Sequence, residues 1–395
     1  MKSKPADIPY CGVDVEKIKN AKPKFNLENL RLQNEWIFDR HRTKKVKDSG
    51  VCRPWTSNVI LQEYKFCNIR REDDRESQYL IQNISENPDM SLENKFYNTL
   101  FMRMYNKWST IVKLGGPRDW GTPPDIDYYN TIITSESERD PSYVWFTNAY
   151  NMGGMKRAAG SNFILTRLTD DELAGVDMND IPSYEGAESI KNKSFPDVFY
   201  VPSYLAEKVA SLDSDLRVIE LKDTNIPIRI VKRVAQLKKE KLFERVISCE
   251  SQKDVFDLLS NVKGYGKFLA YQLFVDMTYI PEFKFSENEF VVAGPGCERG
   301  LHLVWEDFDG LNYAEMLFWL RENIQTVWKD AGLEYDLETL LDDKEVSDRF
   351  LSVMSLQNIH CETTRYIRTA KGTGRPKVKY RPFDESSVSD LSSFL

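Results

Sequence analysis

DVFDLLSNVKGYGKFLAYQLFVDMTY, residues 254–279, is the stretch on which the fold turns. Val255, Phe256, Leu258 and Leu259 recur at helical spacing, and a second apolar helix follows from Phe268. Between them Gly264 and Gly266 make a Gly-x-Gly turn. This is the layout of a helix-hairpin-helix. Its glycines let the turn approach a DNA phosphate, and backbone N–H groups at the start of the second helix hold the anion. Lys267 adds a charge there. An ordinary tight turn between packed helices fits the same pattern, and both readings stand.

Outward from this hairpin the chain reads as helices. Phe96, Leu100, Met104, Trp108 and Val112 recur every four residues, the stripe of a core helix. LENLRLQNEWIFDRHRTKKVKD, residues 27–48, is a helix with a strongly basic end. Further helices are predicted at about 203–212, 224–247, 266–279, 311–331 and 345–360. Residues 114–142 and 168–198 are dense in Gly, Pro, Asp and Ser, the composition of loop insertions. For the segment between them, periodicity does not choose between strand and helix. Strand signals are few, so the fold class is mainly α. The predicted organisation is an N-terminal extension over 1–25, one helical domain over 26–382 and a flexible Ser/Asp-rich tail over 383–395.

At 395 residues with 41% hydrophobic side chains, the chain can bury a sizeable core. No apolar run approaches the roughly 18–20 residues that cross a bilayer, and the basic start lacks the apolar stretch of a secretory signal. No membrane association is expected. The six cysteines are scattered singly, without a C-x-x-C, and there are three histidines. Neither a disulfide framework nor a metal site is indicated. The expectation is a reduced, cytoplasmic protein without metal or cofactor. The net charge of −7 excludes a uniformly basic coat but not a local basic face.

Three further segments carry chemistry. In AGPGCERGL, residues 293–301, Gly294, Gly296 and Gly300 form a glycine loop that can cradle phosphate oxygens, with Arg299 as the charged partner. A plain turn is the alternative, and no Walker A motif occurs in the sequence. In CRPWTSNVILQEYKFCNIRREDDR, residues 52–75, Arg70, Arg71 and Arg75 alternate with Glu72, Asp73 and Asp74. This is either a salt-bridged helix start or an arginine fork for phosphate, with Asn68 as a hydrogen-bonding reader. HCETTRYIRTAKGTGRPKVKYRP, residues 360–382, carries Arg365, Arg368, Lys371, Arg375, Lys377, Lys379 and Arg381 with no acid after Glu362. Such a segment suits a nucleic-acid backbone, or else only solubilises a tail.

In chain order, PWT with ILQEYKFCNIRREDDR, then GYGKFLAYQLFVDMTY, AGPGCERGL and CETTRYIR resemble a phage family that hypermodifies thymine in DNA. It comprises the helical domain of 5-hydroxymethyluracil DNA kinases, amino acid:DNA transferases and α-glutamyl/putrescinyl thymine pyrophosphorylases. The resemblance covers residues 54–368 and implies a DNA-glycosylase-like helical fold. By position, the family's signature falls on Trp55, Asn68, Arg71, Asp74, Gly266, Gln272, Asp276, Gly294, Gly296, Gly300 and Glu362. Two departures stand out. Relatives end close to CEFDKY, whereas Thr363, Thr364 and Arg365 follow Glu362 here. An arginine cannot replace a lysine as a base, because its charge is permanent. The region where a DNA glycosylase places its catalytic Asp reads VVAGPG, without a carboxylate, which argues against simple N-glycosidic hydrolysis.

The resemblance implies an enzyme acting on a phosphorylated or pyrophosphorylated 5-hydroxymethyluracil in DNA, in the host cytoplasm during infection. Its reaction displaces the leaving group with an amino acid or amine. The substrates implied are double-stranded DNA with a flipped modified base and the amine, and a separate DNA kinase acts upstream. Displacement requires cations on the departing phosphate, a base for the attacking ammonium and a pocket for the base. Arg71, Asp74, Asp276 and Glu362 are the catalytic candidates. Trp55, Thr56, Asn68, Arg75, Gln272 and the 294–300 glycines with Arg299 are the substrate-binding ones. Gly264, Gly266, Lys267, Arg365, Arg368, Lys377, Lys379 and Arg381 are the DNA-binding ones. Asp276 has a structural alternative as a brace of its helix. At the level of function the alternatives are a non-catalytic DNA-binding module assisting a kinase and a glycosylase-type enzyme.

Overall fold

The computed structural model describes residues 12–139, 163–176, 181, 195–201, 203–220, 226–262, 265–333 and 351–374. The chain is mainly helical and divides into two compact units, residues 1–74 with 286–395 and residues 75–285. The sequence predicted one domain over 26–382.

Unit 1 opens with α1 (Val15–Asn20) and strand β1 (Lys24–Phe25), so residues 12–25 are part of this unit. Helix α2 (Leu27–Asp48) starts where Asn26 accepts the Asn29 N–H, and α3 (Val59–Glu63) starts where Asn58 accepts those of Ile60 and Leu61. A 3₁₀ turn over Arg71–Asp73 closes this half.

In unit 2, α4 (Arg75–Leu80) leads to α5 (Leu92–Tyr105) and α6 (Trp108–Lys113). The predicted stripe holds through Phe96, Leu100 and Met104, all buried. It breaks at Asn106, whose left-handed backbone (φ 53°) ends α5. The predicted loop at 114–142 contains a helix, α7 (Ile126–Arg139), in which Tyr129 and Ile133 are buried. Two apolar side chains four apart are enough to seat it, so composition misled there.

Strand β2 (Phe163–Thr166) is followed by α8 (Asp170–Ala174), with a capping box at Thr169. Strand β3 (Val198–Val201), α9 (Ser203–Ala210) and strand β4 (Arg217–Glu220) complete a small antiparallel sheet ordered β3-β2-β4. Leu165, Phe199 and Val201 of that sheet close on Ala206 and Val209 of α9. The 168–198 insertion thus contains α8 and leads into β3.

The predicted helix over 224–247 is two, α10 (Ile226–Lys239) and α11 (Leu242–Ile247), because Lys241 takes φ 55°. The hairpin helices are α12 (Gln252–Ser260) and α13 (Gly266–Met277); Gly264 lies outside the described residues. Helix α13 packs on α5.

The chain re-enters unit 1 with α14 (Pro295–Val304), strand β5 (Trp305–Asp307), α15 (Tyr313–Asp330) and α16 (Val353–Ala370). Strand β5 pairs antiparallel with β1. Helices α14 and α16 both pack on α2; Leu30, Trp36 and Ile37 of α2 are buried, as are Leu301 and Val304 of α14 and Ile359 of α16. The predicted glycine loop at 293–301 is therefore corrected: it is the first two turns of α14. Gly294 is the N-cap residue and Pro295 takes the first helical position, where a missing N–H costs nothing. Residues 375–395, with the predicted tail, lie outside the described residues.

Candidate functional site

Helix α16 collects the unit 1 candidates. Its N-cap Ser352 accepts the Ser355 N–H at 3.1 Å and donates to buried Glu287 at 2.8 Å, which fixes the helix start. Helical spacing then presents Gln357, Asn358, Cys361, Glu362, Arg365 and Tyr366 to segments far away in sequence. Gln357 Oε1 accepts from Arg71 Nη1 at 3.2 Å. Asn358 Nδ2 donates to Asn68 O at 3.3 Å. Glu362 Oε2 accepts the Cys67 N–H at 3.4 Å. Tyr366 accepts at its hydroxyl from Asn58 Nδ2 at 2.7 Å, which ties down the turn carrying Trp55 and Thr56.

The 65–74 segment is itself cross-braced. Asp74 Oδ1 accepts the Asn68 N–H at 3.0 Å, and Asn68 Nδ2 donates to Asp73 O at 2.7 Å. Half-buried Arg40 donates to Cys67 O at 3.1 Å and to Asn68 Oδ1. Asn68 is 9% exposed and spends its amide on this bracing, so it shapes the site from beneath. Burial lowers the Arg40 pKa, opposed by Asp74, Asp73 and Glu362 nearby. Burial raises Asp73 too, against Arg70 and Lys44.

Cys67 marks the centre of the charged cluster. Burial drives its thiol pKa well up, Asp74 and Glu362 push the same way, and Arg71 and Arg365 oppose them. Cys361 is raised to about 11 by burial, with Arg71 and Arg299 opposing. Both thiols are thus pushed away from the thiolate form.

Glu362 is 6% exposed, and Arg365 Nη1 donates to both its oxygens at 2.8 and 2.7 Å. Arg365 also donates to Lys65 O at 3.1 Å and lies 5.2 Å from the Phe66 ring centroid. The pair thus fastens α16 to residues 65–67.

Helix α14 completes the cluster from its other side. A Cβ on Gly300 would stand 1.9 Å from His360 O, and one on Gly296 3.0 Å from Cys361 Sγ. These two glycines permit close helix packing, while Arg299 is exposed beside them. Trp55 donates its indole N–H to Val51 O at 2.7 Å, and Thr56 Oγ1 accepts the Asn58 N–H at 3.0 Å.

Unit 2 holds the remaining candidates. Asp276 is fully buried and takes a bidentate fork from Arg103, Nε to Oδ2 and Nη2 to Oδ1, each at 2.5 Å. That is the geometry of a brace between α13 and α5. Gln272 is half-buried on α13. Arg75 is exposed at the start of α4. Gly266 takes φ +59° with nothing within 4 Å of its missing Cβ, and Lys267 beside it is exposed. On unit 1, Arg368 is exposed and donates to Thr373 O at 3.3 Å. Lys377, Lys379 and Arg381 lie outside the described residues.

The sequence did not single out Arg40 or Gln357. Gln357 was detectable in principle, since it precedes Cys361 by four residues and so lies one helical turn back on the same face. Among the described residues, no group of three His, Cys, Asp or Glu side chains can hold a metal ion, and no helix is long and apolar enough to cross a membrane.

A family model described as "5-hmdU DNA kinase, helical domain" matches residues 28–375. The 5-hmdU DNA kinase of Bacillus phage SP10 is 19% identical over 350 residues, covering 84% of this chain and 44% of that protein. The chain thus spans less than half the length of this curated relative. No solved structure matches.

Proposed function

Since the chain belongs to the family of 5-hmdU DNA kinase helical domains, we propose that it is a DNA base-hypermodification enzyme. Its substrate is a 5-hydroxymethyluracil in DNA whose hydroxyl has been phosphorylated or pyrophosphorylated, and it replaces that leaving group with an amino acid or amine. The observation that carries this is the meeting on α16 of two stretches far away in sequence: residues 67–74, through Asn68 to Asn358, Arg71 to Gln357 and Cys67 to Glu362, with Asp74 bonded to Asn68, and α14, through Gly296 against Cys361.

The chemistry asks each group for a specific task. The amine nitrogen forms a bond to the 5-methylene carbon while the carbon–oxygen bond breaks, and the phosphate or pyrophosphate departs with the bonding pair. Arg71, held at one nitrogen by Gln357, offers its guanidinium charge to that departing anion. Asp74, half-buried three residues along the chain, is the base that takes the proton of the attacking ammonium. Glu362 keeps Arg365 and the 65–67 segment in register. Asp276 braces unit 2 through Arg103. Duplex DNA is held at the Gly266–Lys267 turn, used as a helix-hairpin-helix, and along the basic segment from Arg368 to Arg381, Arg365 being engaged by Glu362.

A second reading has its own support: the SP10 relative is a kinase more than twice as long as the region it shares with this chain. On that reading the chain is a helical DNA-binding platform that assists a kinase acting upstream.

One experiment separates the two. The protein is supplied with DNA carrying pyrophosphorylated 5-hydroxymethyluracil and free amino acids, and the DNA is digested to nucleosides for mass spectrometry. A new amino-substituted nucleoside supports the transferase. A lost base means a glycosylase. Unchanged nucleosides with retained DNA binding leave the platform.

A further inference from the structure

The chain carries a net charge of −7, yet residues 42–53 hold Arg42, Lys44, Lys45, Lys47 and Arg53 against Asp48. They occupy the end of α2 and the turn after it, which leads to Trp55. The Trp55 indole is pinned by its N–H bond to Val51 O. Lys47 Nζ stands 5.5 Å and Arg53 Cζ 5.2 Å from its ring centroid. One ring therefore gathers two cations that would otherwise repel each other, each attraction being worth about 0.5–1 kcal/mol at an exposed site. Lys44, three residues before Lys47, shares its helical face and pairs with Asp48, with Asp73 3.9 Å away.

Val51, whose carbonyl accepts the Trp55 indole N–H, is 53% exposed, and Val59 at the start of α3 is 71% exposed. The positive field also reaches inward. His41 is held down to about 4, first by burial and then by Lys45, Arg70, Lys44 and Arg40. The turn that carries Trp55 is bonded through Asn58 to Tyr366 of α16, the helix along which the candidate site is assembled.

We propose that the end of α2 with the 51–55 turn is a docking surface for the sugar-phosphate backbone of DNA, on which Trp55 mounts Lys47 and Arg53 instead of stacking on the flipped base. Lysine and arginine grip phosphate oxygens as point charge and fork respectively, and Val51 and Val59 lie against the sugars. Backbone held at Trp55 is held on the same unit as Arg71, so the surface presents DNA to that cluster. The inference rests on DNA being the substrate and not on which reaction follows.

The test is a titration of the full chain against a short unmodified duplex over a range of salt concentrations. Lys47→Gln with Arg53→Gln is expected to weaken binding of any sequence and to flatten the plot of log affinity against log salt by about 0.9 for each phosphate no longer neutralised. Trp55→Leu, with both cations kept, is expected to flatten it in part, because the cations lose their mount. Lys47→Glu alone, at an exposed helix end, gives the same direction should the double variant fold poorly. An unchanged slope in folded variants overturns the proposal, as does a wild-type protein that binds no duplex. Trp55→Leu that loses turnover at wild-type affinity also overturns it, since the ring would then be reading the base. A responsive slope with unchanged nucleosides leaves the surface standing and removes the transferase reading instead.

Discussion

Arg71 and Asp276 are both charged groups with a hydrogen-bond partner far away in sequence, and on the proposed reading they serve different tasks. Gln357, 6% exposed, accepts from Arg71 at one guanidinium nitrogen. Arg71→Lys keeps the charge and loses the fork. Turnover on activated DNA is expected to fall by about 100-fold or more, in line with the loss of one transition-state donor, while DNA affinity and Tm barely move. Wild-type turnover in this variant would remove the clamp. Asp276, in contrast, spends both oxygens on Arg103 in a fully buried site. Asp276→Ala strands that guanidinium in the core and is expected to cost about 3–5 kcal/mol in urea denaturation. Normal stability with lost turnover would instead make Asp276 catalytic. The signature residues were legible in the sequence but their tasks were not. Arg103 lies 173 residues from Asp276 and Gln357 286 from Arg71, and no spacing rule reaches so far.

Helices were the most legible part of the chain, and glycine was the main source of error among them. The Phe96, Leu100 and Met104 stripe faces the core because its period matches the α-helix. Its predicted continuation to Trp108 fails at a single asparagine in the left-handed region. The glycines of 293–301 suggested a phosphate loop because glycine is a poor helix former. Two of them are instead needed within a helix, since α14 approaches α16 more closely than a Cβ allows. At Gly300 the obstacle is the His360 carbonyl, backbone that cannot swing aside. Gly300→Ala is accordingly expected to destabilise by about 1–3 kcal/mol or more. Gly296→Ala meets only the Cys361 thiol and is expected to cost less. Equal, negligible effects in thermal denaturation would contradict this packing.

The whole molecule should weaken in mild acid. His360 is buried, its Nδ1–H donates to Leu356 O at 2.8 Å, and burial holds its pKa down to about 4, as burial and neighbouring cations do for His41. Both imidazoles stay neutral in the folded chain while an unfolded chain protonates near 6.5. Their contribution is intact above about pH 6.5 and lost as pH falls towards 4, because the unfolded state then binds more protons. For His360 alone the loss by pH 4 is about 3 kcal/mol. Imidazole resonances in the folded protein titrating near 6.5 would refute this.

Unit 1 is built from both ends of the described chain, with Leu30, Trp36 and Ile37 of α2 covered by helices that lie beyond residue 294. On the ribosome those apolar side chains emerge long before their cover. The 211 residues from 75 to 285 must be made in between, a delay of roughly 10–40 s at the usual rate of elongation. Unit 2 is one continuous stretch and can close during that interval. The order of assembly is thus written into the chain's route: the middle first, then the two ends together. A pause or truncation before α16 leaves a finished unit 2 attached to an open, aggregation-prone α2.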